Sequence, residues 1–204
     1  VLNSRSLTPG GPMLSEMLVV LKETVSTYLS TVSGSSIADS DQGQVVFLES
    51  ERVDALDFKL GAISLLLANV EEDHTLRSGE PYRRTLPDGT VLKVQPSIHL
   101  NAYVLFVARF KDYTQSLRYI SLILQFFLTH RVLDHENTPA LSDRIEKLTM
   151  ELLTLPFSEQ NHLWSILGSA YHPSLLYKVR MVVFQDDSGV VVPPVTETSV
   201  RSSR

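Results

Sequence analysis

The residues that could do chemistry are few, and their spacing suits none. Six histidines are present: His74, His99, His130, His135, His162 and His172. His130 and His135 stand five apart, about 140° round a helix, and so would not close on one metal ion. The run Asp134, His135, Glu136, Asn137 could hold a cation, and a metal-dependent hydrolase would have to be built there; a solvated turn accounts for the same residues. The chain has no cysteine, which excludes disulfides, thiolate metal sites and thiol catalysis and fits a reducing compartment. There is no phosphate-cradling glycine loop, no Gly-x-Ser-x-Gly elbow and no His-Glu-x-x-His. The carboxylate pairs Glu71-Glu72 and Asp186-Asp187 fall at strand ends, where charge is ordinarily solvated. No residue is assigned to catalysis, to a metal or to a cofactor, and the chain is read as something other than an enzyme.

The composition agrees. With 204 residues, 43% of them hydrophobic, one domain with flexible ends is expected. A formal charge of −5 argues against a nucleic-acid partner, which needs a basic face. No apolar run reaches the ~18 residues of a membrane span. The opening VLNSRSLTPGGP lacks the charged-then-apolar order of a signal peptide, so a cytoplasmic, soluble chain with no membrane partner is expected.

The elements that would position side chains are clearer. Residues 1–12, rich in Ser, Gly and Pro, read as a mobile arm, with Pro12 suited to a first helical turn. Leu14, Leu18, Leu21, Val25, Tyr28 and Val32 then step by three or four, as one face of a helix. VVFLES (45–50) reads as a short strand, and LGAISLLLANVEE (60–72) as a strand apolar on both faces. Pro87-Asp88-Gly89 marks a hairpin in the most basic segment, which holds Arg77, Arg83 and Arg84.

In SIHLNAYVLFVARF, Ile98, Leu100, Ala102, Val104, Phe106 and Ala108 share one face. The other face begins polar at His99 and Asn101 and turns apolar at Tyr103, Leu105 and Val107. That pattern predicts a central strand whose second face is covered only in part. Asp112 reads as an N-cap with Gln115 in the capping-box position. The helix that follows is apolar except for the stripe Arg118, Ser121, Gln125, Thr129, so it should be covered on two sides or share a face with a partner. HRVLDHENTPALS reads as a loop, and DRIEKLTMELLTLP fits a strand or a helix equally. Ser158 reads as the cap of a short helix that ends at Gly168, with Trp164 as its core anchor. From 174 to 184 the chain alternates, with Leu175, Tyr177, Val179, Met181 and Val183 opposite Lys178 and Arg180. Short connections among these elements favour an α+β domain, a mixed sheet packed with helices, over 13–186. Residues 187–204 read as a flexible tail.

The stretch NHLWSILGSAYHPSLLYKVRMVVF resembles the C-terminal signature of the tube-cap, or tail-terminator, family of phage-tail-like contractile injection systems. The match runs through Leu163, Trp164, Gly168, Tyr171, Pro173, Ser174, Tyr177, Lys178, Val179, Arg180 and Met181. LNAYVLFVARFKDYTQSLRYISLILQFF is similar to the family's strand and following helix. The resemblance spans about residues 13–186 and implies that KLTMELLTL is a strand. It also implies a structural cap: a ring, thought to be a homohexamer, on the distal end of the inner tube and sheath. There it would stop polymerisation and set particle length. Its partners would be itself and the tube and sheath proteins, assembled in the cytoplasm before the particle is released. Arg83, Arg84, Arg118 and Gln125 are the candidate subunit or tube contacts. The alternatives are a monomeric adaptor for cargo or baseplate parts and the metal-dependent hydrolase around Asp134, His135 and Glu136.

Overall fold

In a computed structural model of the protein, which describes residues 13–33, 44–48, 57–73, 82–85, 91–94, 98–183 and 190–192, one strand organises the rest. This is β5 (Ile98–Arg109), paired antiparallel to β2 (Ala62–Glu72) on one side and to β8 (Ser174–Val183) on the other. Beyond β8 lie β7 (Ile145–Leu153) and β6 (Val132–Asp134); beyond β2 lies β1 (Val45–Phe47), the one parallel neighbour. The six strands form a mixed sheet in the order β1-β2-β5-β8-β7-β6. A separate three-stranded sheet joins β3 (Tyr82–Thr85), β4 (Val91–Val94) and β9 (Val190–Val192). The basic hairpin therefore forms, with Arg83 opposite Lys93 and Arg84 opposite Leu92, while its Pro87-Asp88-Gly89 turn lies outside the described residues. The N-terminal arm, His74 and Asp186-Asp187 also lie outside them.

The first face of the large sheet carries two helices, α1 (Met13–Ser33) and α2 (Tyr113–Thr129). Ala102, Val104, Phe106 and Ala108 of β5 point into this core, beside Tyr177, Val179 and Met181 of β8, as the alternation predicts. On α1 the buried row is Met17, Leu21, Val25 and Leu29, all fully buried. That row is rotated from the expected stripe: Val32 is 46% exposed, and Leu14, Leu18 and Tyr28 lie at the flank. The reason is tertiary, because α1 touches both the β1–β2 edge and α2, and the two contacts centre its buried face between them.

Asp112 caps α2 by accepting the Thr114 N–H at 3.0 Å. Gln115 makes no reciprocal bond; the Ser116 hydroxyl accepts from Phe110 N–H instead. The wide apolar girth of α2 is absorbed from two directions, Ile123, Phe126 and Phe127 facing the core and Tyr28 of α1 meeting Phe126 at a tilt, 4.8 Å between ring centres.

Two expected loops or tails hold strands. Within HRVLDHENTPALS, β6 pairs with β7 and buries Leu133; three residues are too short to show a period. Within 187–204, β9 pairs with β4. The ambiguous segment before Pro156 is a strand, β7, with Ile145, Leu148 and Met150 buried.

Candidate assembly surface

The second face of the sheet carries part of the signature and is built differently along its length. At one end a short helix, α3 (Phe157–Ile166), packs across it. It starts behind Pro156, which occupies the N-cap position without a side-chain bond, so Ser158 lies inside the helix rather than capping it. Proline has the backbone angle needed to enter the helix two residues earlier than the serine would. Its other end closes as expected at Gly168, whose φ of +63° suits a residue without a β-carbon. The Gly168 N–H reaches Ser165 O at 3.1 Å and the Ser169 N–H reaches Trp164 O at 3.3 Å, the paired bonds of a Schellman end.

Trp164 is buried in a small core with Phe58, Leu66, Leu105, Val107 and Leu167, and Leu163 packs against it. Phe58 meets Trp164 edge-on at 5.9 Å and His172 at the same distance; Tyr171 meets Trp164 at 5.6 Å. Burial, and then the charge of Arg109, lower the His172 pKa below its ordinary 6.5. Arg109 itself is held by Asp57 at 2.6 Å and by the Phe58 carbonyl, which fastens the segment carrying Phe58 to β5. The sequence carries no periodic signal for Phe58, an isolated aromatic between Asp57 and Lys59. Pro173 then leads the chain into β8, and its carbonyl accepts the Ala108 N–H at 2.9 Å.

Along β8 the signature divides between the faces. Tyr177 points into the first core, against Phe106 and Phe127. Its hydroxyl is buried with no partner, and burial pushes its pKa up to about 12. Ser174, opposite Val107, Lys178 and Arg180 share the second face. Lys178 lies over the Tyr103 ring, and Arg180 bonds Glu151 at 2.8 Å. Tyr103 in turn donates to Glu71 at 2.6 Å, and this bond, helped by burial and the nearby carboxylates, raises its pKa. The uncovered end of the second face is thus a polar lattice, where the sequence predicted polar residues beginning at His99 and Asn101.

Arg118, Ser121, Gln125 and Thr129 form an exposed stripe on α2, widened by Leu117 at 42% and Leu128 at 56% exposure. Arg83 and Arg84 lie on β3 of the other sheet, so the candidate contacts are not brought together by one described element. In the Asp134 loop, the carboxylate accepts the Glu136 and Asn137 N–H groups at 3.0 and 3.1 Å, closing the turn on itself. Among the described residues no three His, Asp or Glu side chains gather as a metal site, and no helix is long and apolar enough to cross a membrane.

The model of one family, the Pvc16 N-terminal domain, matches residues 17–198. The chain belongs to the Pvc16 N-terminal domain family. Solved structures agree on the fold. The sheath/tube terminator of an extracellular contractile injection system, PVC, in its extended state superposes with a TM-score of 0.57 at 18% identity, over 96% of this chain and 65% of that one. The tube-terminating cap of the anti-feeding prophage gives 0.56 at 18% identity, over 91% and 61%. This Pvc16-type domain therefore spans somewhat less than two thirds of each of those chains. Both are terminators, one of sheath and tube and the other of the tube. No curated protein matches the sequence.

One further feature of the Pvc16-type domain lies beside α3. Phe157 stands seven residues before Trp164, on the same side of the helix, yet is 90% exposed. Beneath it runs a groove of about 420 Å³ lined by Leu152, Leu155, Leu163, Leu176 and Trp164, with no charged residue in its wall.

Proposed function

We propose that this chain caps a contractile injection particle: six copies close into a ring on the distal end of the inner tube and sheath and refuse the next layer, which sets particle length. The observation that carries this reading is the extent of the likeness. The family match covers 17–198, and a sheath/tube terminator shares the fold over 96% of the chain. A terminator needs surfaces rather than chemistry, one face matching the tube end and another that offers nothing to build on. The polar end of the second face and the exposed α2 stripe are suitable material for such surfaces. In this reading the β3–β4 arm with Arg83 and Arg84, and Arg118 and Gln125 of α2, touch tube or neighbour. Exposed ion pairs contribute at most about 1 kcal/mol each, so they orient more than they hold. The chain is assembled in the cytoplasm and leaves with the particle.

The test is removal of the chain from cells that make the particle, followed by length measurement in electron micrographs. A broad, lengthened distribution is expected, restored by supplying the chain in trans. An unchanged length distribution would overturn the reading.

A further inference from the structure

α1 and α2 each bury a full row of side chains, whereas Trp164 is the one buried residue within α3. The side chains of α3 make no hydrogen bond or ion pair with the other described elements. The helix packs on the sheet through Leu163, Trp164 and its C-cap residue Leu167, over a floor of Leu66, Leu105 and Val107. Its underside also borders the uncharged groove of about 420 Å³. Pro156 and Gly168 bracket it, so a turn of the backbone at these two points moves the helix as one body.

The anchor of this helix sits in a cluster of rings. Trp164 meets Tyr171 at 5.6 Å, Phe58 at 5.9 Å and His172 at 6.0 Å, and His172 also meets Phe58 at 5.9 Å. The Pro173 carbonyl, bonded to the Ala108 N–H, fixes the backbone beside His172. Of these rings only His172 changes charge between about pH 5 and pH 8. The charged and titratable groups on the described elements around it are Arg109 of β5, Asp57 and Lys59 beside Phe58, Glu159 and His162 of α3, and Tyr171. Arg109 is the one whose charge acts on His172, and the nearest carboxylate, Asp57, is engaged by Arg109 at 2.6 Å and 82% exposed.

We propose that α3 is an acid-released lid: protonation of His172 frees Trp164 from its ring cluster, and α3 swings off the second face about Pro156 and Gly168. The lid is a property of the single chain and does not depend on the cap reading. Opening uncovers Leu66, Leu105 and Val107, and turns part of the outer surface from closed to apolar. The first core, under α1 and α2, shares none of these buried residues and stays shut.

The direction follows from where the proton is welcome. With α3 seated, a charged His172 is taken out of water among rings and placed near a second cation, Arg109. With α3 released, the imidazole reaches solvent and takes its proton at the ordinary 6.5. The seated form is therefore favoured in full above pH 6.5. Below it the open form binds the proton first, and the advantage of the seated form is lost as pH falls through the lowered value. A helix held by one buried ring has little else to keep it in place.

Trp164 is the chain's single tryptophan, so its emission reports the lid without a label. The full chain is taken from about pH 8 to about pH 5. Its emission is expected to move to longer wavelength and to become quenchable by acrylamide. Protection of the α3 amides, corrected for intrinsic exchange, should fall by up to about tenfold per pH unit, the limit for uptake of one proton. The amides of β5 and α2 should keep theirs. His172→Gln should make both signals independent of pH across this range, and His162→Gln should leave the acid change intact. An emission maximum that stays in place overturns the lid even if intensity falls, because an imidazolium quenches a neighbouring indole with α3 still seated. Protection lost equally from α3 and β5 overturns it, as does the same acid change in His172→Gln. The unsubstituted chain alone decides the first two of these outcomes if that variant does not fold.

Discussion

The first face of the large sheet lies under two helices, and its core runs from β1 to β6. The second face carries one helix of ten residues over one end, and charged and hydroxyl side chains over the other. Both faces belong to the same strands, and β5 contributes alternate residues to each. The first face is where the fold gains its stability, since that is where most apolar surface leaves water. The second face is an outer surface, organised by a few anchors and left partly open.

The sharpest way to break that contrast is to hollow each face in turn. Phe106→Ala and Trp164→Ala each remove a buried ring, for which losses of about 3–5 kcal/mol are usual. They should differ in reach. Phe106→Ala should lower the urea midpoint seen by every probe, because Phe106 joins α2, β5 and β8 through Phe127 and Tyr177. Trp164→Ala should release α3 first, with hydrogen exchange rising there while the amides of β5 and α2 hold. Equal loss of protection throughout would mean that the two cores are one cooperative unit.

A smaller effect separates shape from polarity on the first face. Tyr177→Phe removes a hydroxyl that is buried without a partner, so stability should stay level or rise by up to about 1 kcal/mol in urea titrations. A clear loss would show that the hydroxyl is satisfied and that the signature tyrosine is kept for its bond as well as its ring.

The smallest effect belongs to the second face and to pH. The His172 pKa lies below 6.5 in the folded chain, so below pH 6.5 the unfolded state takes up protons that the folded state resists. The contribution is present in full above pH 6.5 and is lost as pH falls through the folded value. His172→Gln should flatten that part of the stability–pH curve. An unchanged slope would place the acid sensitivity elsewhere.

Some of this was legible in the residues. The alternation of β5 named both of its faces and even the height at which the second turns polar. Asp112 and Gly168 marked helix ends because capping is a local matter of one side chain or one backbone angle. Trp164 was correctly expected in a core. Other features were hidden: β6 and β9 are too short to carry a pattern, and Phe58 is an isolated ring whose partners lie far along the chain. The cap residue of α3 was misplaced because Pro156 acts through its ring rather than through a hydrogen bond. Of the outer surface, only the exposed α2 stripe is legible in the sequence; the strand order emerges from register.

The sequence by itself determined which residues would be buried together along each long element, because side-chain alternation and helical repeat are properties of the local backbone. It also determined that no cysteine chemistry exists, and it carried the family signature. The tertiary structure decided the rotation of α1, the covering of α2 by that helix, and which strands become neighbours in the sheet. Those depend on which elements become neighbours, and a neighbour distant in sequence leaves no periodic trace in the segment it covers.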